Sequence, residues 1–168
     1  MQKMTTVVLC LSACAWGQNP MSDALRNELT RQTNNTVAAA EEMPSDKYGY
    51  KPTDAQVPFG HWVSHATGAN NFFCSKLTGA TAPAVGVKET DPKDKLVEAL
   101  KKSFDYCSTQ LPKLQDSQLG EEVSMFGGRK MTKGAAVLDL SADWADHYSQ
   151  MASYLRLNGL LPPTAKKK

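Results

Sequence analysis

Asp143 and His147 stand four residues apart in the stretch Ser141-Ala-Asp143-Trp144-Ala-Asp146-His147-Tyr148. On a helix that spacing stacks both side chains on one face, where a carboxylate oxygen and an imidazole nitrogen close on the same ion. His65 lies in another segment of helical patterning and offers a third ligand. Two helices that contribute Asp-x-x-x-His and one further His make a workable site for a divalent metal inside a helix bundle. Three protein ligands leave one coordination position open, where water loses a proton near neutral pH or a thiol is deprotonated. Each residue also has a plainer role: a core histidine bonded to a backbone acceptor, or, for Asp143, a solvent-facing acid. His61, four before His65, reads as a supporting or exposed residue. The sequence contains no Ser-His-Asp signature, Gly-rich phosphate loop or complete Rossmann fingerprint, so catalytic residues stay unassigned.

Four amphipathic segments must position these groups. The first runs from Pro20 to Glu42, with Ser22 as its N-cap candidate and Leu25, Leu29 and Val37 on one face. The second starts near Pro58, carries Phe59, Trp62, Val63, Ala66, Asn70 and Phe73 on one side, and stops around Gly79. The third opens at Thr90-Asp91-Pro92, buries Leu96, Leu100, Phe104 and Cys107, and closes at Pro112. The fourth enters at Lys133-Gly134 and ends at Asn158-Gly159, with Pro162-Pro163 beyond. No stretch alternates with period two for long enough to demand a strand. The expected class is all-α, a single four-helix bundle over residues 20–163.

At 168 residues and 41% hydrophobic content the chain suits one ordinary globular domain. Its net charge of +2 is nearly balanced, and Lys166-Lys167-Lys168 reads as part of a solvated basic tail over residues 164–168. No basic stripe interleaved with aromatics is present, so nucleic acid is not an expected partner. Lys3, an apolar run from Val7 to Ala15 and the small-x-small Ala15-Trp16-Gly17 resemble a signal peptide over residues 1–17. The run is too short to span a bilayer, which takes roughly 20 residues. Leu11-Ser12-Ala13-Cys14 also resembles a lipobox, which would anchor the protein by a lipid on Cys14. The expected location is periplasmic or secreted, with the lipoprotein as the alternative.

The order of several motifs carries a resemblance. Asn19-Pro20 with Ser22-Asp23-Ala24-Leu25-Arg26 is followed by Met43-Pro44 and Tyr50-x-Pro52-Thr53. Phe59-Gly60-x-x-x-x-His65-x-x-x-Ala69-Asn70 comes next, then Phe126-Gly127-Gly128 and His147-Tyr148-x-Gln150. Tyr154-Leu155-Arg156-x-Asn158-Gly159-x-x-Pro162-Pro163 completes the series. In that order they resemble the DinB superfamily, in particular its small exported bacterial members. The resemblance implies a left-handed up-down-down-up bundle and a metal triad of one His on helix two and two His four apart on helix four. His65 and His147 match the first and last of these positions, and Asp143 stands at the middle one, usually His. Such a site suits zinc first, with nickel, manganese and iron as alternatives. Relatives of known activity resemble thiol-dependent enzymes that use bacillithiol or mycothiol, and bundles of this type often form homodimers. Tyr154 and Arg156 read as residues that close the helix end; an arginine near a metal cleft also suits an anionic substrate.

Export would remove Cys10 and Cys14 and leave Cys74 and Cys107, either bridged or as two buried thiols. Cys74 lies about 16 residues into helix two and Cys107 about 15 into helix three, so they share a depth when those helices run parallel. Antiparallel helices would displace them by on the order of 15 Å, beyond the roughly 4.4–6.8 Å between bridged Cα atoms. The segment from Gly79 to Thr90 spans up to ~40 Å when extended, long enough to return along a helix of roughly 30 Å. Parallel helices two and three with a Cys74–Cys107 disulfide are therefore expected. The functional expectation is an exported divalent-metal protein, a hydrolase or a thiol or group transferase acting on an unknown small molecule. A non-catalytic envelope protein with a degraded site is the alternative.

Overall fold

Four long helices carry the chain in the computed structural model, which describes residues 18–166: α1 (Pro20–Glu42), α2 (Phe59–Thr78), α3 (Lys93–Gln110) and α4 (Lys133–Leu157). The signal peptide expected over residues 1–17, with Cys10 and Cys14, lies outside the described residues, as do Lys167 and Lys168. Among the described residues, no helix is long and apolar enough to cross a membrane.

Three helix ends have a clear chemical cause. Pro20 opens α1, and its N-cap is Asn19 rather than the expected Ser22. Ser22 lies inside the first turn because a distant carboxylate caps this helix: Asp116 accepts from the Met21 and Ser22 backbone N–H at 2.9 and 2.8 Å and from Ser22 Oγ at 2.6 Å. Gly79 ends α2 in the left-handed conformation (φ 75°), open to glycine without steric cost. Thr132 caps α4 by accepting from the Ala135 N–H.

The expected apolar faces become the core. Leu25, Leu29, Phe59, Val63, Leu96, Leu100, Phe104, Leu140, Trp144 and Leu155 are all buried in one cluster. A short hairpin interrupts the helices, with β1 (Glu122–Ser124) antiparallel to β2 (Lys130–Thr132). Three-residue strands are too short for alternation to register in the sequence. Gly127 and Gly128 (φ 65° and 77°) turn its tip.

Side-chain contacts set the helix directions. Gly60 approaches Leu96, Asn70 bonds Ser103, and Cys74 is joined to Cys107, so α2 and α3 advance together. Arg26 reaches Leu111 while Lys93 reaches Glu41, so α1 runs against α3. Asn70 meets Trp144 and His65 meets His147, so α2 runs against α4. The disulfide spans Cα atoms 5.4 Å apart. Residues 80–92 return along the bundle as an extended strap, fastened by Asn71 Nδ2 donating to the Pro83 carbonyl at 3.3 Å and Tyr106 OH donating to the Thr81 carbonyl at 3.0 Å. At the C-terminus Tyr148 and Thr164 share a hydroxyl hydrogen bond of 2.8 Å, and Lys166 pairs with Glu42, so residues 164–166 lie back on the bundle.

Candidate metal centre

Asp143 and His147 occupy successive turns of α4 and face His65 across from α2. One ligand atom from each residue lies within 4.8 Å of the others, so all three sit within about 2.8 Å of a common centre. Metal–ligand bonds of about 2.0–2.2 Å are reached by a movement of a few tenths of an ångström. His65, at the exposed rim, has the most freedom to make it.

The donor set fits a cation on two further observations. Asp143 Oδ2 and His147 Nδ1 are buried and neither has a hydrogen-bond partner, although they lie 3.3 Å apart. Two ligands on one tetrahedral ion with bonds of about 2.05 Å are ~3.3 Å apart. An orphaned acceptor and ring nitrogen beside each other cost stability unless something satisfies both. Trp62 Nε1, whose ring lies 5.9 Å from that of His147, is a third orphan of the same layer.

Burial favours the neutral form of both histidines. Burial, and then the neighbouring His65, push the His147 pKa down to about 4, so its ring is neutral at physiological pH. Burial and the adjacent His61 also lower His65. Burial foremost, with the charges of Asp146 and Asp139, raises Asp143 to about 6. A cation would reverse that last effect, because ligation favours the ionised carboxylate.

A cleft of about 630 Å³ opens over His65 and Asp143, between α2, the strap and the hairpin tip. His61 lines it; its Nδ1 lies 2.7 Å from Glu89 Oε2 and its ring stacks on His65 at 5.5 Å. Sequence reasoning left His61 as a supporting or exposed residue and missed Glu89, which lies 28 positions away with no motif linking them. Tyr154 is buried and donates to the Val57 carbonyl at 2.7 Å, a structural role. Arg156 is exposed and does not line the cleft.

Fold and site together define a class: a helical bundle in which two antiparallel helices hold a His/Asp/His cluster below an open cleft. A family model, the DinB superfamily, matches residues 28–151, and the chain belongs to that superfamily. Among solved structures it is similar to a DinB-like protein of Bacillus subtilis, YjoA, at 24% identity and a TM-score of 0.68, covering 86% of this chain and 99% of that one. A DinB-like protein of Bacillus cereus is similar at 16% identity and a TM-score of 0.70, over 84% and 95% of the two chains. YfiT of Bacillus subtilis, reported as a probable metal-dependent hydrolase with an unusual four-helix bundle topology, is similar at 17% identity and a TM-score of 0.63, over 83% and 88%. No curated protein matches the chain.

Proposed function

We propose that this protein is an exported, metal-dependent hydrolase that holds one divalent cation, zinc first, on His65, Asp143 and His147. The observation that carries this reading is the pair of orphaned buried ligand atoms, Asp143 Oδ2 and His147 Nδ1, set beside His65 under an open cleft. The description of YfiT as a probable metal-dependent hydrolase supports the same class. A bound cation would polarise a substrate carbonyl and lower the pKa of water. The chain's own residues do the rest. His147 stays neutral, and the Trp62 and His65 rings confine it on two sides. His61 lines the cleft beside His65, and Glu89 Oε2, 2.7 Å from its Nδ1, orients the ring. Its imidazole is the group placed to take a proton as water adds to the carbonyl carbon, and to return it to the leaving group as the C–N or C–O bond breaks.

Zinc, nickel, manganese or iron content after metal exchange tests the centre, with one equivalent expected. His65→Ala and His147→Ala should each weaken binding at least 100-fold, a loss on the scale of a first ligand rather than a supporting contact. Asp143→His should keep or strengthen it. Wild-type protein that takes up no stoichiometric metal favours the competing reading, a non-catalytic envelope protein with a degraded site. The carboxylate of Asp143, where the family places a histidine, is the observation behind that alternative.

The Cys74–Cys107 disulfide supports export, because such bridges persist in oxidising compartments. Such a compartment also holds little reduced thiol, which favours hydrolysis over thiol transfer. Mass spectrometry of the native protein should find a start at Gln18, or a lipid on Cys14; an intact Met1 in the cytoplasm overturns export.

A further inference from the structure

The cleft has a chemical character that the triad does not explain. Its volume of about 630 Å³ falls in the usual range for small-molecule sites, roughly 300–1,000 Å³. One wall is an aromatic pair: Phe72 on α2 and Phe126 on the hairpin tip stack with ring centroids 3.7 Å apart and planes 18° from parallel. Phe126 is nonetheless 66% exposed, so the pair is open to the solvent that fills the cleft. The strap adds further apolar lining, including Val85 and Val87.

Asn71, 5% exposed, lines the cleft beneath the strap and also borders the neighbouring cavity lined by Thr67 and Lys95. Its Nδ2 donates to the Pro83 carbonyl, which fixes the amide orientation, since only nitrogen donates there. Its Oδ1 is buried and has no partner. A buried acceptor without a donor is costly, and a ligand N–H or O–H relieves that cost. Among the described residues that line the cleft there is no lysine or arginine, while Glu89 and Asp143 supply acid. Lys76 touches the margin, with Nζ 5.5 Å from the Phe72 centroid, but is not part of the lining. Anions are therefore disfavoured.

We propose that this cleft takes an uncharged molecule with a flat apolar body and one N–H or O–H donor. The body lies against Phe72 and Phe126, and the donor bonds Asn71 Oδ1. This rests on the hydrolase reading only for the fate of the molecule, and its binding is separable from the metal.

N-phenyl-1-naphthylamine is neutral, flat and carries one N–H; 8-anilino-1-naphthalenesulfonate is the same body with a sulfonate. Both are titrated by fluorescence into metal-free protein, and the neutral probe also into zinc-loaded protein. The neutral probe should bind the two forms within threefold, and the sulfonate should bind metal-free protein at least tenfold more weakly than the neutral probe. Phe126→Ala and Asn71→Leu should each weaken the neutral probe at least fivefold. Gly68→Leu should block it: a Cβ there meets only Val85 Cγ2, at 3.4 Å, so the larger side chain fills the cleft without displacing backbone. Equal binding of the two probes, or neutral binding unchanged in Phe126→Ala and Gly68→Leu, overturns the proposal. Zinc content measured on the same samples keeps the two readings apart: a protein that binds probe but no zinc sinks the metal centre alone.

Discussion

Two neighbouring layers of the bundle are built from similar residues and behave as opposites. In the first, Asn70 links three helices. Its Oδ1 accepts from Trp144 Nε1 at 2.7 Å, its Nδ2 donates to Ser103 Oγ at 2.9 Å, and Ser103 Oγ donates to the Leu100 carbonyl at 2.7 Å. Its side-chain oxygen and nitrogen are both satisfied, and the Cys74–Cys107 bridge lies one turn further along α2. In the second layer, toward the start of α2, Asp143, His147 and Trp62 leave three buried polar atoms without partners. A closed polar network locks helices together, whereas an open one leaves its buried atoms uncompensated unless a ligand pairs with them. The chain spends stability in one layer and recovers it in the other.

Removing the bridge should do the most damage. Cys74→Ala with Cys107→Ala opens a loop whose ends are 33 positions apart, at a cost of roughly 4 kcal/mol in the chain-entropy account. Urea denaturation measures it, and a loss below about 1 kcal/mol would remove the closed layer from the comparison.

Acid should separate the layers next. The folded-state pKa of His147 lies below its ordinary 6.5, so its contribution is complete above pH 6.5 and is lost as pH falls toward about 4. Asp143 has the reverse sign: its pKa is raised from 3.8, so its contribution is complete below pH 3.8 and is lost as pH rises toward about 6. The two nearly cancel, and metal-free protein should keep a flat stability across this window. Asp143→Asn uncovers the histidine and should lose roughly 3 kcal/mol between pH 6.5 and 4. A flat denaturation profile in that variant would contradict the assignment. Metal affinity has its own signature: a proton competes for Asp143, so affinity should fall about tenfold per unit below pH 6.

Asn70→Ala should cost about 2 kcal/mol, because it orphans the buried Trp144 N–H. Asp143→Leu sharpens the contrast through its sign. It should raise the stability of metal-free protein by about 1 kcal/mol, by deleting an orphaned buried oxygen, while abolishing metal uptake. If thermal melts show Asp143→Leu to be as damaging as Asn70→Ala, the two layers are alike and the second is not built for a ligand.

What the sequence determined by itself was whatever depends on near neighbours along the chain. The periodicity of Leu96, Leu100, Phe104 and Cys107 set a buried face, and Pro20, Gly79 and Pro92 punctuated the helices within a residue or two of their observed ends. Asp143 and His147 were legible as a pair because four residues are one helical turn. Equal depth in two helices made Cys74 and Cys107 legible as a bridge. Tertiary structure alone decided the rest. Ser22 lost its capping role to Asp116, 94 positions away. His61 found Glu89, Asn71 found Pro83 and Phe126 found Phe72 because the strap and the hairpin fold back over α2. No local pattern encodes such meetings. They follow from where the long connections land once the helices have packed, and they give the cleft above the triad its shape and charge.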